Sequence, residues 1–222
     1  MDWTPLELSL RLALWTCALL IPLAAVCARW LAWSQWRGKV VLEALVALPL
    51  VLPPTVLGFY LLLSLGGDSL LGAWYQELFD RNLVFSFDGL LVAAMIFNLP
   101  FAVQPLQRAF ESVPQDVREA AWCSGLSSWR TFWRVELPLA WPGLVSALTL
   151  CFVHTLGEFG VVLMVGGSIP GETQTISIAI YDRVQAFDDR GAGQLSAILL
   201  AISFSAVVLV YALSRRGTAS GK

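Results

Sequence analysis

The chain has 222 residues, of which 57% are hydrophobic and 14% are charged, and its mean hydropathy is +0.70. This composition is typical of an integral membrane protein, because soluble domains carry a smaller apolar share. The chain has no basic patch, which argues against a nucleic-acid partner. The apolar composition makes the lipid bilayer the expected surroundings.

Five apolar runs predict an all-α integral membrane protein with about five transmembrane helices. The predicted spans cover about residues 10–28, 41–65, 89–106, 143–165 and 195–213. Five spans of roughly 20 residues would occupy nearly half of the chain, so we expect one transmembrane domain over residues 1–222. Residues 1–7 contain no Lys or Arg, so the first run lacks the basic start of a cleavable signal peptide and should persist as a span.

The second run contains more helix breakers than a lipid-facing helix usually needs, namely Pro49, Pro53, Pro54 and Gly58. Backbone groups that are freed at membrane depth require protein or water as partners. The pattern therefore fits a kinked packing helix and a pore-lining helix about equally. After this run, residues 70–79 could form a short helix on the membrane surface.

A polar segment of about residues 107–142 separates the third and fourth runs, and we interpret it as a surface element rather than a span. Pro114 suits the start of a helix, and Gly125 should end that helix. Ser127 or Ser128 can cap a second short helix that stops before Pro138. Two short helices that meet at a glycine would form a compact docking element. The alternative is an ordinary amphipathic helix lying on the membrane.

The distribution of basic residues predicts the orientation of the chain in the membrane. If the polar segment is cytoplasmic, ten of the 14 Lys and Arg residues lie inside, among them Arg215, Arg216 and Lys222. Only four lie outside. Five crossings then place the amino terminus outside and the carboxyl terminus in the cytoplasm.

The chain offers no evident chemistry of its own for energy coupling or catalysis. It contains no GxxxxGK[ST] loop for binding ATP and no convincing set of nucleophile, base and orienting acid. The four cysteines lack CxxC spacing and are interpreted as structural thiols: Cys17, Cys27, Cys123 and Cys151. We therefore expect a protein that is not an enzyme, holds no cofactor or metal, and takes its energy from a partner.

One pair of ionisable residues lies within a predicted span. His154 and Glu158 are four residues apart, so on one helix they would share a face and could hydrogen-bond. The pair is either a gate along a translocation pathway or a satisfied packing pair near the helix end. An ionised Glu158 would repel an anion. Hydroxyl groups suit an oxyanion better, and the candidates are Thr155, Ser146 and Thr149.

The polar segment carries a spaced motif: Glu119-Ala120-Ala121, three residues, Gly125, nine residues, Val135, one residue and Leu137-Pro138. The motif resembles the EAA loop of ABC importer permeases, with valine where isoleucine is usual. In that family the loop is the cytoplasmic coupling element that sits in a cleft of a separate ATPase subunit. The resemblance implies a set of coupling residues: Glu119, Ala120, Ala121, Gly125, Arg130 and Arg134. The first four would shape the loop, and the two arginines would face the ATPase.

Three further segments resemble the molybdate ABC transporter permease subunits: LPLVLPPTVLGFYLL at 48–62, LGEFG at 156–160 and IPGETQTI at 169–176. The resemblance extends over about residues 10–213. It implies a homodimer of permeases, two ATPase subunits that bind the ATP, and an extracytoplasmic binding protein that delivers molybdate. It also implies a place in the cytoplasmic membrane of a bacterium or archaeon.

Three alternatives stay open. A permease for tungstate, sulfate or thiosulfate is the nearest, because tetrahedral oxyanions differ little. A proton-coupled secondary transporter would use His154 and Glu158, although the EAA spacing and the lack of an evident inverted repeat argue against it. A purely structural membrane subunit would tolerate loss of the EAA loop without losing transport.

Overall fold

A computed structural model describes residues 2–219 of the chain, without the side chains of residue 210 and residues 213–219. Lys222 lies outside the described residues, as do the side chains of Arg215 and Arg216, so their part in the orientation argument rests on sequence alone. No strand occurs among residues 2–219, whose regular structure is helical.

The helices of the described chain are, in order, α1 Thr4–Trp33, α2 Lys39–Val51, α3 Pro54–Leu65, α4 Leu70–Phe79, α5 Phe87–Phe97, α6 Leu99–Glu111, α7 Gln115–Cys123, α8 Ser128–Thr131, α9 Leu137–Leu139, α10 Trp141–Gly157, α11 Gly160–Gly166, α12 Ile176–Gln185 and α13 Asp189–Ala219. A π-helical turn, Phe132–Glu136, connects α8 to α9.

Two helices are long and apolar enough to cross a membrane alone: Thr4–Trp33 with 30 residues and the Asp189–Leu209 part of α13 with 21. Three bent pairs reach that length only together. They are α2 with α3, α5 with α6, and the stretch Ser128–Leu139 with α10, bent by 112°, 41° and 74°. The described chain therefore holds between two and five candidate spans.

Two hydrophobic clusters form the core. The first joins α1, α6 and α10, and small residues such as Ala24, Ala28 and Ala147 let these helices approach closely. The second joins α3, α5 and α11 through residues such as Leu61 and Leu90. Many large apolar side chains of α2, α3 and α13 stay exposed, as expected of surfaces that face lipid or another chain.

The second predicted span, residues 41–65, is not one continuous helix, because the chain turns by 112° between α2 and α3. This turn follows from the covalent structure of proline. Pro53 and Pro54 donate no backbone hydrogen bond, and Leu52, which precedes them, has an extended backbone with ψ 138°. α3 then lies against α11, where a Cβ added to Gly58 would stand 2.7 Å from the Cβ of Met164. A kinked helix pair is present, and its role in a pathway stays a prediction.

The fourth predicted span, residues 143–165, is not continuous either, because α10 ends at Gly157 and α11 begins at Gly160. Glu158 has an extended backbone with ψ 135°, so it does not continue the helix that carries His154. Its carboxylate accepts a hydrogen bond from the Val161 N–H at 3.0 Å. That bond satisfies one of the free N–H groups at the start of α11 and explains how the break is held.

The third predicted span, residues 89–106, bends by 41° at Asn98 between α5 and α6. Asn98 is fully buried, and its Nδ2 donates to the Ala94 carbonyl and to the Thr155 hydroxyl, both at 2.8 Å. Its Oδ1 lies 3.1 Å from Nδ1 of His154. Because an unpaired polar group is costly in an apolar core, these contacts fix the bend and link it to α10.

Short polar contacts also define the starts of α4 and α13. The mostly exposed α4 covers residues 70–79, and the Ser69 hydroxyl caps it by accepting the Gly72 N–H at 2.9 Å. Asp188 caps α13, where its carboxylate accepts from the Gly191 N–H at 2.9 Å and from Arg183 at 2.8 Å. These two bonds lower the pKa of Asp188. All four cysteines are free thiols.

We expect Thr155→Val to lower the free energy of unfolding by about 1 kcal/mol, the size found for hydrogen bonds between membrane helices. The change keeps the side-chain shape but leaves one buried N–H of Asn98 without its acceptor. Thermal unfolding of the purified protein in detergent measures the loss.

Thr16→Val is the matched control for this prediction. The Thr16 hydroxyl is buried and has no hydrogen-bond partner within residues 2–219, so its removal should leave stability unchanged or raise it. Equal stability of T155V and the wild-type protein would contradict the importance of the Asn98 contacts.

Candidate functional site

The EAA segment, defined here as residues 115–139, consists of two short helical parts that Gly125 separates. α7 ends in a Schellman motif, in which the Leu126 N–H bonds to the Ala121 carbonyl at 3.1 Å and the Gly125 N–H bonds to the Trp122 carbonyl at 2.9 Å. The motif requires a left-handed residue, and Gly125 supplies it with φ +82°. The helix break expected at this glycine is therefore present, and the backbone hydrogen bonds explain it.

The second half of the EAA segment begins at Ser127, which rather than Ser128 is the cap of α8. Its hydroxyl accepts the Arg130 N–H at 3.4 Å. The helix then widens into the π turn, where the Leu137 N–H bonds to the Phe132 carbonyl five residues back. Pro138 has no N–H to continue the regular pattern. Glu136 is the last residue of this widened turn.

The coupling residues predicted from sequence lie on the outside of this segment, apart from one. Glu119 and Ala120 are exposed, whereas Ala121 is buried. Glu119 accepts a hydrogen bond from Gln115 Nε2 at 2.7 Å. Arg130 and Arg134 are exposed one helical turn apart, so their guanidinium groups are accessible to another molecule.

Exposed tryptophans accompany these arginines. Trp129 is 66% exposed, Trp133 is 52% exposed, and Trp122 on α7 is 41% exposed. Tryptophan and arginine are the residue types that most often dominate the binding energy of protein interfaces. The EAA segment therefore presents an aromatic and basic surface of the kind that binds a protein partner.

A buried ion cluster behind this surface was missed by the sequence analysis. The carboxylate of Glu136 is fully buried, and it accepts from Arg29 Nε at 2.6 Å and from Arg118 Nε at 3.1 Å. Both arginines are among the ten basic residues that the positive-inside rule predicts to be cytoplasmic, and no further role for them was predicted. A signal did exist, because Glu136 is the only acid between Glu119 and Glu158 and a buried acid needs a partner.

The candidate pathway residues form a second polar cluster, between α5, α6 and α10. Nε2 of His154 lies 3.8 Å from Oε2 of Glu158, so the two residues meet even though Glu158 is outside the helix. The His154 ring packs against Phe101 and Phe97, with centroid distances of 4.2 and 5.3 Å. The cluster is partly accessible, since the His154 side chain is 33% exposed.

The three candidate hydroxyl groups donate their protons to the chain itself. Thr155 donates to the Cys151 carbonyl at 2.7 Å, Thr149 to the Val145 carbonyl at 3.0 Å and Ser146 to the Pro142 carbonyl at 2.9 Å. In this arrangement they present lone pairs rather than donors. Their role toward an oxyanion stays a prediction. Among residues 2–219, no group of three or more His, Cys, Asp or Glu side chains could hold a metal ion.

Residues 21–218 match the family described as "Binding-protein-dependent transport system inner membrane component". The molybdenum transport system permease protein ModB of Azotobacter vinelandii is 45% identical over 215 residues, which cover 97% of this chain and 95% of the relative. The probable sulfate transport system permease protein cysT of Chlorella vulgaris is 35% identical over 178 residues, which cover 80% of this chain and 66% of the relative.

A solved structure is similar in fold. The crystal structure of a bacterial ABC transporter involved in the import of the acidic polysaccharide alginate superposes with a TM-score of 0.76 at 15% identity, covering 96% of this chain and 78% of that one. At that identity the likeness bears on the fold alone. The family match over nearly the whole chain and the helical membrane fold agree: the chain belongs to the binding-protein-dependent transport system inner membrane components, the permeases of ABC importers.

Proposed function

We propose that the chain is the membrane-spanning permease subunit of an ATP-driven importer of molybdate. The observation that carries the proposal is the 45% identity to a molybdenum transport permease, which extends over 97% of this chain and 95% of the relative. The sulfate permease match is lower at 35% and covers 80% of the chain. A permease for another oxyanion, such as sulfate, tungstate or thiosulfate, is the second candidate.

The partners proposed for this permease are two ATPase subunits, an extracytoplasmic molybdate-binding protein and a second copy of the chain. ATP is bound by the ATPase subunits. The EAA segment supports the ATPase as a partner, because it exposes three tryptophans together with Arg130 and Arg134. Docking there places the EAA segment and the carboxyl terminus in the cytoplasm and the amino terminus outside, in agreement with the positive-inside rule.

Transport in this proposal is alternating access driven through rigid helices. Closure of the two ATP-loaded subunits moves the EAA segments of the two permeases together and turns the pathway outward. Hydrolysis resets the pathway to face inward. His154, Thr155 and Glu158 are proposed as gate or pathway residues, because they form a partly accessible polar cluster within otherwise apolar helices.

The first test is uptake of labelled molybdate into vesicles that carry the chain together with its ATPase and a supply of the binding protein. We expect uptake that requires ATP and is blocked by excess tungstate but not by sulfate. Vesicles without ATP and vesicles without the permease are the controls. Equal competition by sulfate would move the assignment to a broader oxyanion permease, and uptake that follows a proton gradient without ATP would overturn the class.

A second test addresses the coupling role of the EAA segment. We expect Gly125→Pro to abolish uptake while the protein still inserts into the membrane. Proline fixes φ near -65° and has no N–H, whereas position 125 needs φ +82° and a bond to the Trp122 carbonyl.

Gly125→Asn is the matched control for this substitution. Asparagine tolerates the left-handed conformation better than other residues with a side chain, and a Cβ at this position meets no atom within 4 Å. G125N should therefore retain most of the uptake. Normal uptake by G125P would contradict the coupling role proposed for the EAA segment.

A further inference from the structure

The buried carboxylate of Glu136 connects the EAA segment to the end of α1. Two nitrogens of Arg29 reach it, Nε to Oε2 at 2.6 Å and Nη2 to Oε1 at 3.3 Å. Arg118, from α7, reaches Oε1 with its Nε at 3.1 Å. One acid thus joins the end of α1 to both halves of the EAA segment.

The local backbone explains why Glu136 points inward. It is the last residue of the π turn, which adds a residue to the helical turn and so shifts the faces that follow it. The neighbouring Trp133 and Arg134 are exposed, whereas Phe132 and Glu136 are buried. The turn therefore divides the segment into an outer face for docking and an inner face that contacts α1.

Trp33, in the last turn of α1, completes the cluster. The Arg118 guanidinium lies 3.5 Å from the centroid of its ring and that of Arg29 lies 5.3 Å from it. The ring also packs against Phe110 of α6, with a centroid distance of 5.7 Å. Cation–π contacts of this kind strengthen where water is excluded. The cluster therefore brings α1, α6, α7 and the π turn together at one point.

Stability alone does not account for such a cluster. Apolar side chains of similar volume often stabilise a protein as well as a buried ion pair does, because the charges lose their hydration. The ion cluster instead adds a defined orientation, because the carboxylate and the two guanidinium groups form all of their hydrogen bonds in only one arrangement. The cluster is thus suited to holding the EAA segment in one orientation relative to α1.

We propose that Glu136 is a positioning residue that makes α7, the π turn and the end of α1 move as one body. A displacement of the EAA segment by the ATPase is thereby passed to α1 and, through the small-residue contacts of α1 with α6 and α10, to the core. The proposal rests on the coupling role given to the EAA segment under the proposed function. Glu136 and its partners do not bind the ATPase themselves.

The test compares Glu136→Gln with the wild-type permease in the complete transporter. Glutamine keeps the size and removes the charge that orients both arginines. Three quantities are measured: the amount of ATPase that co-purifies with the permease, the rate of ATP hydrolysis, and the number of oxyanions taken up per ATP hydrolysed. A positioning role predicts normal co-purification and a fall of at least about fivefold in uptake per ATP, the lower end of usual coupling effects.

Arg108→Gln is the matched control. Arg108 forms a salt bridge to Glu111 at 3.1 Å, but its side chain is 82% exposed and the pair lies within α6 alone. Loss of this salt bridge should leave uptake per ATP unchanged, because exposed salt bridges contribute little to stability. Glu136→Asp, which keeps the charge, should restore part of the ratio lost in E136Q.

If E136Q does not reach the membrane in normal amount, Arg118→Lys decides the question. Lysine keeps the positive charge but loses the flat guanidinium that both stacks on Trp33 and bonds to Glu136. Lowered uptake per ATP with normal docking supports the proposal. An unchanged ratio in E136Q, or in R118K where E136Q is not recovered, overturns it and leaves the permease assignment intact. Absence of ATP-driven uptake by the wild-type transporter would overturn the proposed function and the transmission role together.

Discussion

The arrangement of the EAA segment depends on the burial of one carboxylate, that of Glu136. Burying Glu136 would be strongly unfavourable without its two cations, so the fold must bring Arg29 and Arg118 to the same place. That requirement fixes α7 and the π turn against α1. The outer face of the same segment is then free to present its tryptophans and arginines. The proposed docking surface and the buried anchor thus belong to one short element.

The helices of the core obey a related rule. A membrane protein can interrupt a helix only where the freed polar groups find partners inside the protein. Asn98 meets this rule through Ala94, His154 and Thr155, and Glu158 meets it by capping α11. The breaks are therefore defined structural features with satisfied hydrogen bonds. They also concentrate polar side chains between α5, α6 and α10.

Much of this organisation could be predicted from sequence because it is local. Hydropathy indicated the apolar runs, and the motif with Gly125 indicated two short helices joined at a turn. The breaks at residues 52–53 and 158–159 were predicted less well. Hydropathy averages over a window and does not register whether an apolar run is one helix or two. Pro53 and Pro54 indicated the break at residues 52–53. The break at residues 158–159 instead depends on the Glu158 side chain, which caps α11.

The sequence by itself determined the class of protein, the polar segment with its spaced motif and the helix break at Gly125. These features follow from composition and from neighbouring residues. Only the tertiary structure decided which polar groups meet. Arg29 and Glu136 are 107 residues apart, and Asn98 and Thr155 are 57 apart. No local pattern encodes such pairings, because they arise when helices pack and each buried polar atom must find a partner.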